Sequence, residues 1–301
     1  MALLAPDADG APRQGMAFSL RCAGAESNFA IALQRLEIGA AWISRLGTDV
    51  LGDLVHDALG EEGVDLRWVV RDPNAPTGLF LKWRADGTGY NLYYRRGSAA
   101  SRLRPTDVPD AALDGVNAVH LTGITTALSA SARETVLDVA RRAHARGISI
   151  SFDPNYRPAL WDDPAAAAAA HRELLPLVRW YLCGLDEGRC LFGVPDAPAL
   201  FDVLETAGVG GVIVRVGADG ALVRADGAIV TVPPPRVVDI FDEIGAGDGF
   251  AAGFTWGWLT GCDTVDAVRA GHVVAASALG ASGDWESYVG RDALLRQLQE
   301  A

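Results

Sequence analysis

The sequence predicts an α/β fold: a mainly parallel central sheet flanked by helices, with a small β lid at its side. Three observations carry this. Short β-branched runs alternate with Ala/Leu-rich amphipathic runs along most of the chain; one hairpin interrupts the alternation; and a late glycine turn joins a β-branched run to an apolar helix. Alternation of this kind implies parallel βαβ units with right-handed crossovers. Ligands in such sheets bind beyond the carboxyl ends of the strands.

Taken in order, Ala40–Arg45, Ala118–Leu121, Ile148–Phe152, Trp180–Cys183 and Gly211–Val216 read as short buried strands. Asn28–Leu36, Leu51–Glu62, Ala130–Arg146, Pro164–Leu177 and Ala197–Ala207 read as helices. The alanine run Ala165–Ala170 is low in complexity, yet alanine is the best helix former, so a helix is expected there. The interruption is Thr77–Tyr94, where two strand-like runs flank Asp86-Gly87-Thr88-Gly89, a hairpin signal. A hairpin inserted in a βαβ series suits a lid over the sheet, or a plain edge decoration.

At 301 residues the chain can bury a large core. Half of it is hydrophobic and 21% is charged, as in ordinary globular proteins. A net charge of −12 makes the chain a poor binder of nucleic acid, whose phosphates need a basic surface. Nor does it steer an anionic substrate from afar, so such a ligand needs a local arginine cluster. Lys82 is the only lysine and lies far from any glycine-rich loop of the Walker type, which excludes that phosphate site. Cys22, Cys183, Cys190 and Cys262 form no CxxC pair and read as free thiols, not zinc ligands. No run of about 18 uncharged apolar residues could span a membrane, and MALLAPDADG lacks the regions of a signal peptide. A cytoplasmic location is therefore expected, with neither membrane nor nucleic acid as partner.

The chemistry concentrates in Val237–Phe254, VVDIFDEIGAGDGFAAGF. The glycines of Gly245-Ala246-Gly247-Asp248 permit a sharp turn whose amides point outward at a helix N-terminus, a site that favours anions. A carboxylate there, Asp248, can accept a proton while the amides hold a phosphoryl oxygen. Read alone, the motif is equally an acidic helix cap after a glycine turn.

The segment Asp242–Gly253 resembles the C-terminal signature of the ribokinase-like (PfkB-type) carbohydrate kinases, with Glu243 where that family usually has Thr, Ser or Pro. The resemblance covers nearly the whole chain from about Ala23. Ala23-Gly24-Ala25-Glu26-Ser27-Asn28 resembles the family's N-terminal substrate motif, with Ala23 replacing its first glycine. Tyr93–Ser101 (YYRRGSAAS), His120–Thr125 (HLTGIT), Asp153–Trp161 (DPNYRPALW) and Gly283–Glu286 (GDWE) are similar to the 2-keto-3-deoxygluconate kinases within the family.

The resemblance implies a ribokinase-like fold in one domain over 1–301, with a lid formed by about 12–22 and 76–98. It implies ATP and Mg²⁺ as cofactors and a sugar-acid substrate, a neutral sugar such as fructose being the alternative and a non-catalytic sensor a further one. Asp248 would be the base, with Gly245, Ala246 and Gly247 cradling the phosphoryl group. Arg157 would offset charge between phosphoryl group and substrate. Gly24, Asn28, Tyr93, Arg95 and Asp284 would hold the sugar; Asn155, Arg215, Gly217, Ala218, Asp219 and Gly220 the nucleotide. Glu187, in GLDE rather than the family's NxxE, would order metal-bound water. Without the family, Asn28 reads as a helix N-cap, Arg95 as a surface arginine, Asp284 as a loop aspartate, 215–220 as a β-turn and Glu187 as a helix-start carboxylate. Pairing through the lid into a homodimer or higher assembly is also implied. Family members usually open with a central strand ending in Gly-Glu, to which Met1–Pro6 does not correspond. The expectation is a true start upstream, or else that Ala2–Ala5 slides into the gap as a substitute strand.

Overall fold

The computed structural model describes residues 1–86, 88–225, 227–235, 244–280 and 283–300. The chain runs β1 (Ala2–Pro6), β2 (Phe18–Cys22), α1 (Ala25–Arg35), β3 (Arg45–Gly47), α2 (Val50–Glu61), β4 (Val70–Asp72), β5 (Leu79–Ala85), β6 (Thr88–Tyr94), β7 (Ala118–Thr122), α3 (Gly123–Leu128), α4 (Ala130–Ala145) and β8 (Ser149–Asp153). It continues α5 (Pro164–His171), β9 (Trp180–Gly184), α6 (Leu185–Phe192), α7 (Ala197–Thr206), β10 (Val212–Arg215), β11 (Ala221–Ala225), β12 (Ala228–Val232), α8 (Ala246–Leu259), α9 (Thr264–Leu279) and α10 (Arg291–Glu300). The run expected before the glycine turn, Val237–Ile240 with Asp242 and Glu243, and Gly87 of the hairpin lie outside the described residues.

The central sheet has the order β12-β11-β10-β9-β8-β7. β7 to β10 are parallel, each reached through a helical crossover, and β11 and β12 add an antiparallel hairpin. Because crossovers put helices on both faces, the parallel strands are mostly apolar on both: Ile150, Phe152, Tyr181, Leu182, Ile213 and Val214 are fully buried. One face packs on α1, α8 and α9, the other on α4 and α7. α8 and α9 meet at small residues: a Cβ on Gly253 would come within 2.5 Å of the Ala270 carbonyl, so no larger residue fits there without moving a helix.

The hairpin β5–β6 is joined by β1 and β2 into a separate four-stranded sheet, order β2-β1-β5-β6. Two expectations are corrected here. Ala2–Ala5 does not substitute for a central strand; β1 pairs parallel with β5 and antiparallel with β2 in the small sheet. Ala40–Arg45 is a strand only from Arg45 onward. Its earlier residues are held on one side alone, by Trp42 N–H to the Asp65 carbonyl and Asp65 N–H to the Ala40 carbonyl. Opposite them, β7 ends the central sheet, and a cavity of about 490 Å³ lies between, lined by Phe29, Leu33, Trp42, Val119, Leu121 and Val139 among others. The helix expected over Pro164–Leu177 ends at His171, and the chain makes a single 3₁₀ turn over Leu175–Leu177, where Pro176 has no N–H to continue an α-helix.

Candidate active site

The carboxyl ends of β8 and β10 bring two opposite charges together. Arg215 Nη1 donates to Asp153 Oδ2 at 2.9 Å and to the Gly247 carbonyl at 3.3 Å. Burial opposes the Arg215 charge, but Asp153 and Glu187 more than offset that and hold its pKa above the ordinary value. Glu187 begins α6; Gly184 N–H donates to its Oε2 at 3.1 Å, and Tyr156 N–H to its Oε1. Burial pushes the Glu187 carboxyl up to about 7, Asp153 adds to this, and Arg215 and the two amides pull against it. Just past β8, Asn155 adopts a left-handed φ of 38°, tolerable for Asn, while its N–H donates to Asp153 Oδ1 at 2.8 Å. Asn155 Oδ1 is buried and has no hydrogen-bond partner among the described residues.

The glycine turn sits above this cluster. Gly245 caps α8 with φ 85°, and a Cβ there would lie 1.8 Å from the Asp284 carbonyl oxygen, so only glycine lets the two segments pack. The Tyr288 hydroxyl donates to the Gly245 carbonyl at 2.6 Å and fixes the turn from behind. Ala246, Gly247 and Asp248 form the first turn of α8, where helix amides lack intrahelical acceptors. Asp248 Oδ2 accepts from Asn28 Nδ2 at 2.8 Å, and its Oδ1 from Asn155 Nδ2 at 3.4 Å. Burial pushes the Asp248 carboxyl up to about 7; Asp153 and Asp284 push the same way, while the Asn28 bond and the Arg157 charge pull down.

Asn28 is thus not the cap of α1, a place taken by Gly24, whose carbonyl accepts the Asn28 N–H at 2.7 Å. Being buried inside the helix frees its side chain to reach Asp248. Asp284 is also buried, not a solvated loop residue, and its Oδ1 accepts from Lys82 Nζ at 2.9 Å. Tyr93 and Arg95 come from the small sheet, at and just past the end of β6, and Arg157 from the loop after β8. Arg95 lies over the Tyr93 ring, 5.7 Å from its centroid, and burial lowers its pKa while Glu26 counteracts. Arg157 is exposed. Neither Arg95 nor Arg157 has a side-chain hydrogen bond among the described residues. Gly217, Ala218 and Asp219 form an exposed 3₁₀ turn between β10 and β11, with Gly220 at φ 99° closing it under β12. Arg215 points away from that turn, into the cluster.

Three functional neighbours escaped the sequence reading: Asp153, Glu26 and Lys82. Asp153 directly follows an expected parallel strand, the position where ligand-facing residues concentrate, and that signal could have found it. Glu26 accepts hydroxyl donors from Thr122 at 2.5 Å and Thr125 at 2.6 Å, partners about a hundred residues away with no local sequence trace.

A carboxylate whose pKa stands near neutrality, set beside helix amides that can bind an anion, is suited to take a proton from a hydroxyl as a phosphoryl group arrives. With its place at the carboxyl ends of a parallel sheet, the arrangement is that of a small-molecule kinase. The profile of the pfkB family carbohydrate kinases matches residues 2–288. A 2-dehydro-3-deoxygluconokinase of Bacillus subtilis (strain 168) is 36% identical over 279 residues, covering 92% of this chain and 86% of its own. The crystal structure of a PfkB protein from Polaromonas sp. JS666 superposes with a TM-score of 0.88 at 34% identity, covering 98% of this chain and 96% of that one. That of a fructokinase with bound ATP from Xylella fastidiosa gives 0.89 at 25% identity, covering 100% and 96%. The chain belongs to the pfkB family of carbohydrate kinases.

Proposed function

We propose that the protein transfers the γ-phosphoryl group of ATP to the terminal hydroxyl of 2-keto-3-deoxygluconate. The observation that carries the substrate class is Arg95: a half-buried guanidinium over Tyr93 on the cleft side, with no hydrogen-bond acceptor among the described residues. Such a fork suits a substrate carboxylate. The activity named for the Bacillus subtilis relative agrees with this reading.

In the mechanism, Asn28 and Asn155 orient Asp248 so that it accepts the hydroxyl proton. The hydroxyl oxygen forms the new bond to phosphorus as the bond to ADP breaks, and the amides of Gly245–Asp248 hold the equatorial oxygens. Arg157 offsets charge from the mouth of the cleft. The small sheet serves as the lid and excludes water, which would otherwise hydrolyse ATP. Gly217–Gly220 holds the nucleotide, while Arg215 braces Gly247 and Asp153 beneath it. The unpartnered Asn155 Oδ1, with the Asp153 and Glu187 carboxylates beside it, would hold the hydrated Mg²⁺ of a nucleotide through water. Glu187, with both oxygens already accepting amides, suits holding water on the ion. Such an ion, when bound, would neutralise phosphate charge.

The lid's outer face leaves Leu20, Tyr90, Leu92 and Tyr94 40–59% exposed, an apolar patch that supports pairing of lids into a homodimer or larger assembly. Four free cysteines fit a reducing compartment such as the cytoplasm. A panel of keto-deoxy acids and neutral sugars, followed by coupled ADP detection, tests the assignment. The acid should be turned over with the highest kcat/KM; a neutral ketose ahead of it would overturn the substrate class. Because Asp248 works only deprotonated, kcat/KM should fall about tenfold per unit as pH drops below about 7, and level off above it. A flat profile across that range would remove Asp248 as the base.

A further inference from the structure

Lys82 is the only lysine in the chain, and β5 carries it on the inner face of the small sheet. Across the β5–β6 pair, Phe80 stands opposite Tyr93 and Lys82 opposite Asn91, so all four share one face. Phe80 is buried against Leu3 and Ala23, which turns that face toward the body. There the Lys82 ammonium lies 2.9 Å from Asp284 Oδ1, the two side chains 11% and 4% exposed. Ions that far from water persist only when paired. The Asp284 carbonyl in turn packs directly on Gly245, the cap of the turn that presents Asp248. One ion pair thus joins a strand of the small sheet to the segment that seats the glycine turn.

We infer that Lys82 is a positioning residue: through Asp284 it clamps the small sheet onto the body and holds that carboxylate ready for the sugar hydroxyls. This rests on the kinase reading of the site and deepens it. The clamp is electrostatic as well as mechanical. The groups facing Asp248 are Asn28 from α1, Asp153, Asn155 and Arg157 from the end of β8 and the loop after it, and Asp284 and Tyr288 from the segment before α10. Asp284 is one of the negative charges among them, and the Lys82 ammonium offsets it at contact distance.

The test uses Lys82→Met, which keeps the stem and removes the charge, and Lys82→Arg, which keeps the charge. Lys82→Met should raise KM for the sugar acid about tenfold with KM for ATP unchanged, the scale of one lost charge-assisted contact. Lys82→Arg should restore most of that KM. A wild-type KM in Lys82→Met would overturn the inference. So would equal losses in both variants accompanied by a fall in Tm, which would mark Lys82 as packing alone. A measurement on the wild-type chain is independent of how the variants fold. An amine-selective acylating reagent has one lysine to modify, and peptide mass spectrometry separates it from Met1. Saturating sugar acid and nucleotide should slow Lys82 acylation about tenfold, the same contact scale, and the acylated protein should show the raised KM. Acylation at the rate of an exposed lysine with KM unchanged would overturn the clamp. If the wild-type enzyme releases no ADP with any sugar, it is the kinase reading that has failed; an active wild type with a normal Lys82→Met variant fails Lys82 alone.

Discussion

Asp248→Asn should lower kcat by about 10²–10⁴, the usual scale for loss of a general base, with little change in nucleotide affinity. The shape of the site survives the change. Asn28 can still donate to the amide oxygen, and the unpartnered Asn155 Oδ1 can turn to accept from the new NH₂ group. Only the capacity to take a proton is lost. The same variant should be more stable than wild type above neutral pH. Burial raises the folded pKa of Asp248 from an ordinary 3.8 to about 7. Between those values the folded protein keeps a proton that the unfolded chain has released, so stability declines as pH rises through this window and the decline is complete above it. Asparagine removes the cost of the buried charge, on the order of 1–4 kcal/mol. Turnover and Tm measured together at pH about 8 should therefore move in opposite directions, as expected where function is built on a destabilised group. Near-normal turnover in Asp248→Asn would dismiss it as the base.

Arg95→Ala should raise KM for the sugar acid about 10–150-fold while changing a neutral ketose little, since a charge-assisted contact is worth about 1.5–3 kcal/mol. The structure adds a reason for the selectivity. Arg95 is held between the Tyr93 ring and the negative charge of Glu26, itself fixed by the Thr122 and Thr125 hydroxyls. Removing it leaves Glu26 facing the incoming carboxylate, so repulsion is added to the lost attraction. Kinetics on both substrates decide the matter: equal losses would point to a fructokinase-like enzyme in which Arg95 only shapes the lid.

Legibility followed the range of the interactions. The parallel strands β7 to β10 and the helices between them were readable because apolar runs and amphipathic spacing are local. The hairpin was readable from its turn, and the glycine turn from its residues, though the segment just before it lies outside the described residues. The Asn28–Asp248 contact was not, because its partners are 220 positions apart and meet only when α1 and α8 pack on the same sheet face. Asn28 alone looks like a cap; its burial in the middle of α1 gives it another role. The membership of β1 in the small sheet was missed for a similar reason. Ala2–Pro6 has the composition of any short strand, and pairing with Phe18–Cys22 and Leu79–Ala85, not composition, decides its sheet. Lys82 carried a signal that was read only for what it excluded: its place beside Phe80 in an alternating strand already set it on one face with a buried aromatic.

The cavity between β7 and the one-sided segment at Ala40–Ser44 bears on how the protein responds to compression. Aliphatic and aromatic side chains line much of it, beside polar ones such as Glu26, Asp65 and Asn117, so water reaches part of the space and only its dry apolar portion is void that unfolding eliminates. That portion should make the volume change of unfolding more negative, within the usual range of about −20 to −100 mL/mol. Trp42 and Trp68 line this space and would report its collapse by fluorescence. Hydrostatic pressure should loosen this flank of the sheet before the packed α8–α9 side, whose glycines leave no void between the helices.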